Sequence, residues 1–555
     1  MNRAWLGFAS GWAIILIGAV IAHLVQTSDG ISVRDVRFAG GEGKTLSALL
    51  YVPASATAQT RAPGILAVHG YINSRETQSG FAIEFARRGY VVLALDQTGH
   101  GYSDPPAFSD GFGGPAGLTY LRSLEMVDTD NIGLEGHSMG GWTVLAAAAA
   151  MPDAYTSIVL EGSSTGPPFA GDGSPTWPRN LSVVFSRYDE FAGLMWGVER
   201  AAEVGSSAKL QALFGTTETV IENQIYGSLA NGTARALKQP AVTHPGDHIS
   251  HAAIGHALDW FAQTLKGGRS LTNDDQIWFI KEIGTLLALI GLVVLMAGSF
   301  NLLLKLPYFS RLANSHTAAY PSRNRRWWLL GAVMATVPVA TFYLFFQWAA
   351  VLLPPSAWLP QGITNQVAFW ALLNGLIIYL IGKLTNQSAP RERQLVPSAL
   401  IALATIAIAY VAVELMGLLF LVDFRFWIVG LKALSSHQAQ TALVYLIPFI
   451  AYFYLALRGL HNGMSVKNDS PLKAYTSNAF IMAGGFLIFL LAQYTTLFTT
   501  GTLLTPTEPL NTIVMIQFVP LLLIISILTT FTYRRTATPL PGILINALLI
   551  TWYIV

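Results

Sequence analysis

Ile132-Gly-Leu-Glu-Gly-His-Ser-Met-Gly-Gly-Trp142 is the stretch on which the reading of this chain turns. Residues 132–135 read as a short buried strand, and residues 142–150 as an alanine-rich helix. Between them, Gly136-His137-Ser138-Met139-Gly140 has the G-x-S-x-G pattern of a sharp strand-to-helix turn that presents a serine nucleophile. Side chains at 136 and 140 would collide with neighbouring backbone, which is why both are glycine. The turn lifts the Ser138 hydroxyl clear of the sheet at the positive end of the next helix, where developing negative charge is stabilised. The pattern alone is common, and its plain alternative is an ordinary glycine-rich turn. Flanked by this strand and this helix it becomes specific.

Around the elbow, residues 28–271 have the character of an α/β domain. Residues 33–38 and 46–52 alternate like an antiparallel pair joined by a glycine-rich turn. Residues 64–70 and 90–96 are buried strands separated by a helix over 76–88. A loop rich in Gly, Pro and Asp then leads to a helix near 116–126 and to the elbow. Residues 156–161 and 181–186 add two more strands. Strands alternating with helices imply a mainly parallel sheet covered on both faces.

Three pieces together carry a resemblance: His69-Gly70-Tyr71 after one strand, Asp96-Gln-Thr-Gly-His-Gly-Tyr-Ser103 after the next, and Gly136 to Gly141 at the elbow. Residues 30–268 resemble an α/β-hydrolase of the dienelactone-hydrolase and peptidase-like esterase branches. The resemblance implies a serine triad in the chain order Ser, Asp or Glu, His. Asp189 stands where the family places its acid, just past the strand 181–186; Glu190 and Glu161 are the alternatives. For the base, His248 fits the segment His244-Pro-Gly-Asp-His248-Ile-Ser-His251, because a Pro-Gly-Asp turn precedes it and an amphipathic helix follows. His251 is second, while His244 and His256 read as loop and helix-surface residues. An unperturbed histidine base would give activity rising through roughly pH 6 to 7.5. The oxyanion donors should be the backbone N–H groups of Met139 and Tyr71. His69 reads as structural. Residues 191–227 exceed what a bare connection needs, and read either as a lid or as helices packed on the sheet.

No cofactor and no metal is expected, since the histidine spacing is not H-E-x-x-H and the elbow already explains a base. The chain has no cysteine, which removes disulfides, thiolate catalysis and cysteine-ligated metal. A net charge of +2 and the lack of a basic run interleaved with aromatics exclude a nucleic-acid partner. The expected partners are a small-molecule or lipid acyl substrate and membrane lipids. An ester or thioester hydrolase is the leading reading. The alternatives are an acyltransferase on the same elbow, and a transporter or sensor that uses the fold as a binding module.

The rest of the 555 residues points to a membrane: 52% are hydrophobic and 12% charged, about half the usual charged share. Residues 5–25 are apolar apart from His23 and match the roughly 20 residues that span a bilayer. They read as a retained anchor (1–27), because no small-x-small cleavage site follows. Eight apolar stretches lie beyond residue 272, near 276–304, 327–353, 366–384, 397–421, 438–457, 476–497, 512–532 and 538–555. The loops between them sort by charge. Residues 305–326 carry Lys305, Arg311, Arg323, Arg325 and Arg326; 383–396 carry Lys383, Arg391 and Arg393; 458–474 carry Arg458, Lys467 and Lys473. Loops 354–365 and 498–510 carry no basic residue, and 422–437, with Arg425 and Lys432, is the exception. Nine crossings put every strongly basic loop on the cytoplasmic side with Arg3, and the α/β domain on the other. Glu414, near the middle of a span, is costly there; its plain reading is a hydrogen-bond partner, with Asn374 as a candidate.

Overall fold

The computed structural model describes residues 3–313, 320–384 and 394–555. Arg391 and Arg393 of the basic loop lie outside the described residues. The chain divides into two compact units: Val20–Gly284 with Tyr494–Pro506, and Met1–Ala19, Thr285–Gln493 and Thr507–Val555.

In the α/β unit, β1 (Ser32–Ala39) pairs antiparallel with β2 (Thr45–Val52), which pairs antiparallel with β4 (Val91–Asp96). From there the sheet is parallel through β3 (Ala62–Val68), β5 (Val127–His137), β6 (Ser157–Glu161), β7 (Leu181–Val184) and β9 (Arg235–Lys238). The two-residue β8 (Ile225–Tyr226) closes the edge, giving the order β1-β2-β4-β3-β5-β6-β7-β9-β8. Strands β3 and β4 are buried on both faces, and their alternate side chains feed two cores. Leu66, Val68, Leu93 and Leu95 meet Leu118 and Leu145 on one side; Ile65, Ala67, Val92 and Ala94 meet Phe81, Phe85, Ile254 and Phe261 on the other. Each fully buried large apolar side chain contributes about 1.5–3 kcal/mol. These layers hold the C-terminal ends of β3 to β7 side by side.

Strands β8 and β9 were not expected from the sequence. Arg235-Ala-Leu-Lys238 is short and charged at both ends, and it becomes a strand by pairing with β7. The insertion after β7 forms the helices Ala192–Trp196 and Ala208–Phe214, with a 3-10 turn at Ala201–Ser206. Trp196, Leu210, Leu213 and Phe214 join the sheet's apolar core, so these helices pack on the domain; Leu194 stays exposed. Buried Glu84 accepts the N–H groups of Ile277 and Trp278 through Oε1 (2.6 and 3.0 Å), and its other oxygen meets Arg87 and Arg88. It thus caps the start of the helix Trp278–Leu303.

Among the described residues, seven helices are long and apolar enough to cross a membrane: Ala4–Gln26, Trp278–Leu303, Gly362–Gly382, Leu395–Phe420, Ser436–Met464, Pro471–Thr500 and Pro509–Thr536. The helices Arg325–Ala340 and Phe342–Leu352 make an eighth if counted as one, bent by 45°. Pro338 lies just before the break and removes a helical N–H. The ninth expected stretch forms the helix Leu540–Ile554, which is apolar but has 15 residues, about 22 Å in length. Asn374 is bound to Thr341 and Trp370 rather than to Glu414. In the exceptional loop, a hairpin of β10 (Phe424–Phe426) and β11 (Val429–Leu431) forms, and buried Arg425 is neutralised by Asp423 at 2.7 Å.

Candidate active site

Ser138 follows directly on β5 with φ 54° and ψ −118°, and the helix Met139–Ala150 starts at the next residue. A side chain at 136 would come 2.2 Å from the Gly140 carbonyl oxygen, and one at 140 would come 2.1 Å from that of Val68. The glycines therefore permit the turn, and the strained serine backbone is what it produces. The Ser138 N–H donates to the Glu161 carbonyl at the end of β6 (2.8 Å). Met139 is the first helical residue, so its N–H has no acceptor within the helix.

Tyr71 stands on the turn after β3, and the next residue, Ile72, is held at φ 56°, an unusual conformation for a β-branched residue. His69 anchors this turn. Its Nδ1 meets the Gly70 carbonyl at 2.7 Å, while Nε2 accepts the Gln97 N–H at 3.2 Å. The Gln97 side chain donates to the His69 carbonyl and accepts the Thr143 hydroxyl (2.7 Å). Thr143 lies one turn along the helix from Met139. The chain Thr143–Gln97–His69 thus ties together the two backbone segments expected to hold an oxyanion. Burial lowers His69 to about 4, which keeps it neutral.

Asp189, beyond β7, is fully buried, and its Oδ2 lies 2.8 Å from His244 Nδ1. Its Oδ1 accepts the Phe191 N–H at 2.8 Å. The adjacent Glu190 accepts the backbone N–H of His244 through Oε2 (2.8 Å). Two consecutive acids therefore hold one histidine by its ring and by its main chain. Gly162, next to the carbonyl that anchors Ser138, lies against this pair: a side chain there would sit 2.9 Å from His244 Nδ1 and 3.2 Å from Asp189 Oδ2. On the other side His137, the neighbour of Ser138, meets the His244 carbonyl at 2.9 Å through Nε2. Ser138, His244 and Asp189 are thus bracketed by the same few residues.

The structure thus sets His244, and not the expected His248, against Asp189. His248 lies one turn further along the segment His244–Ile249, and its ring packs on His137 at 4.1 Å between centroids instead of reaching Asp189. The reason is β9. Once that strand is in place, the backbone enters the turn with His244 facing the end of β7, and Pro245 starts the turn behind it. His251 opens the next helix and contacts Trp278 and Phe279. Burial lowers His244 to about 4, so the imidazole is neutral and able to accept a proton. Burial and the Asp247 carboxylate push Asp189 up, while the Phe191 N–H favours its anion.

Residues 63–217 match the family model of the alpha/beta hydrolase fold. This part of the chain has the alpha/beta hydrolase fold. An uncharacterized protein of Mycobacterium tuberculosis is 31% identical over 212 residues, which are 37% of this chain and 55% of that protein. The chain therefore spans little more than half the length of this relative. The quorum-quenching protein AidA of Acinetobacter baumannii is 34% identical over 130 residues, covering 21% of this chain and 39% of its own. Among solved structures, a dienelactone hydrolase-like promiscuous phosphotriesterase from metagenomic libraries aligns over 42% of this chain and 99% of its own, at 15% identity and a TM-score of 0.32.

Beside the elbow stands a wall of aromatic rings that the sequence did not single out. Tyr71 meets Phe108 at 5.6 Å, Phe108 stacks on Phe169 at 5.8 Å, and Phe169 meets Trp142 at 5.1 Å and Phe112 at 5.7 Å. Phe108 and Phe169 remain about half exposed, at 48% and 47%. The wall thus runs from the Tyr71 turn to the helix that follows Ser138. Its members come from three separate loops and the helix after Ser138, so no spacing in the sequence announces it. Beneath the site, Asp247 lies 3.6 Å from His137 and accepts the Ser186 hydroxyl, while both oxygens of buried Glu161 have no hydrogen-bond partner among the described residues. Among the described residues, no group of three or more His, Asp or Glu side chains is arranged to hold a metal ion.

Proposed function

We propose that the protein is a membrane-bound serine hydrolase that cleaves carboxylic esters or thioesters with apolar acyl groups. Ser138 is the nucleophile, His244 the base, Asp189 its orienting acid, and the N–H groups of Met139 and Tyr71 the oxyanion donors. The observation that carries this reading is the His244–Asp189 contact beside a serine on a strained elbow. Ser138 Oγ attacks the acyl carbon while His244 Nε2 takes the hydroxyl proton. The carbonyl oxygen becomes an anion in front of the two N–H donors. His244 returns the proton to the departing alcohol or thiol, and water repeats the sequence on the acyl-enzyme to release the acid. The half-exposed rings of Phe108 and Phe169 offer an apolar surface on the oxyanion side and favour an apolar acyl chain. Loop charge favours a catalytic domain on the extracytoplasmic side, and the internally paired Arg425 weakens the one exception. The test is a panel of ester, thioester and amide substrates of rising acyl length, run on the full chain and on Ser138→Ala. Turnover of the esters or thioesters that rises with chain length and vanishes in the variant is expected; turnover that survives in Ser138→Ala would overturn the reading.

A further inference from the structure

The compact unit that contains the α/β sheet also includes Tyr494–Pro506, a segment 304 residues downstream of the acid loop. This segment ends the helix Gly485–Thr500 and precedes the helix Pro509–Thr536. It lies along the loop that carries the acid. The Tyr494 hydroxyl donates to Glu190 Oε1 at 2.8 Å. The Phe498 ring meets Tyr188 edge to face at 5.0 Å, and a side chain at Gly501 would come 3.0 Å from Arg200 Cδ. Tyr188, Glu190 and Arg200 thus flank it from the insertion side of β7.

We propose that Tyr494 is a positioning residue for the His244 base, acting through the Glu190 carboxylate; the inference rests on the triad reading above. Glu190 has one oxygen on the His244 backbone N–H and the other on the Tyr494 hydroxyl, each at 2.8 Å. At 9% exposure both oxygens of the carboxyl group need protein partners, and the phenol is the second of them. Asp189 fixes the His244 ring about its Nδ1, and Glu190 fixes where the backbone starts. Together they set the direction of Nε2 toward Ser138. Loss of the Tyr494 hydroxyl frees Glu190 to turn, and with it the loop that carries the base, and small misplacements of a reacting group are expensive in rate. A purely packing role would need only the ring, which contacts Phe498 at 6.1 Å. The hydroxyl is placed for something further. A stretch of chain outside the contiguous α/β sequence is thereby part of the catalytic apparatus, so an isolated fragment of residues 28–271 would have an impaired base.

The test uses the full-length protein in detergent and two readouts: steady-state ester hydrolysis, and the rate at which a fluorophosphonate labels Ser138. The variants are Tyr494→Phe, Glu190→Gln, Glu190→Ala and the double Tyr494→Phe/Glu190→Ala. Tyr494→Phe should lower kcat and the labelling rate by roughly 2- to 13-fold, the scale of one hydrogen bond. KM should stay within about twofold, because the substrate is not touched. Glu190→Ala should lose at least as much, and the double variant should lose no more than Glu190→Ala alone. Glu190→Gln should keep most of the rate, since its amide still accepts the His244 N–H and offers an NH2 to the Tyr494 oxygen. Tyr494→Phe with wild-type kcat and labelling, a loss confined to KM, or additive losses in the double variant would each overturn the proposal. A wild-type protein that hydrolyses the ester without labelling at Ser138 is a distinct outcome, which overturns the triad reading and this inference with it.

Discussion

Exchanging the two candidate histidines one at a time separates the geometry from the order of residues along the chain. His244→Ala removes the group that contacts Asp189 at 2.8 Å. Since a nucleophile, base and acid act as a unit, kcat should fall by roughly 10⁴ to 10⁶. The remainder comes from substrate binding and the two oxyanion N–H groups. His248→Ala removes a buried ring packed against His137 at 4.1 Å between centroids. That leaves a cavity and is expected to lower stability by about 1–3 kcal/mol, while activity at a temperature well below unfolding stays within about tenfold of wild type. The assay is hydrolysis of a chromogenic short-chain ester, with thermal unfolding measured on the same samples. An active His244→Ala beside an inactive, folded His248→Ala would refute the reasoning and return the base to His248.

The pH dependence follows from burial. His244 is lowered to about 4, so its neutral form is favoured and activity should persist below pH 6, falling away as pH approaches that value. A kcat/KM profile whose acid limb lies at pH 7 would contradict it. Glu135, at the end of β5, is pushed up to about 8 by burial, against the pull of the Gln78 amide at 2.7 and 2.9 Å. A raised value means stability that is complete below the unfolded carboxylate range near 4.5 and is lost as pH rises toward 8. Glu135→Gln should therefore stabilise the protein by an amount that grows between pH 5 and 8, on the scale of a few kcal/mol; a constant offset in unfolding temperature across that range would count against it. For topology, single cysteines at 110 and 315 in the cysteine-free chain should react differently with an impermeant thiol reagent on intact cells. Labelling at 110 alone is expected, and labelling at 315 alone would place the enzyme in the cytoplasm.

The strands β1 to β7 were legible because their apolar runs are bounded by Gly, Pro and Asp, and the elbow because its glycines have a steric purpose. The position of Asp189, the proposed acid, was legible for the same reason, since it lies just past a clear strand. The histidine that contacts it, His244, was not. Its place depends on β9, a four-residue strand that exists only through pairing with β7, and on Glu190, whose grip on the His244 backbone is a contact 54 residues long. The aromatic wall and Tyr494 are harder still, because three loops and a segment 304 residues away converge on the site. Periodicity reports local structure, and these are facts of tertiary packing. The last apolar stretch shows a related limit of periodicity: residues 538–555 are apolar throughout, but the helix within them starts at Leu540 and covers 15 residues.

The most direct test of the central claim is to trap the covalent intermediate. Full-length protein incubated with a fluorophosphonate, or quenched during turnover of a slow ester, should carry the adduct on the peptide that contains Ser138, as read by mass spectrometry. The adduct should be absent from Ser138→Ala and should form far more slowly in His244→Ala. Turnover without an adduct at Ser138, or labelling of equal speed in His244→Ala, would contradict the account.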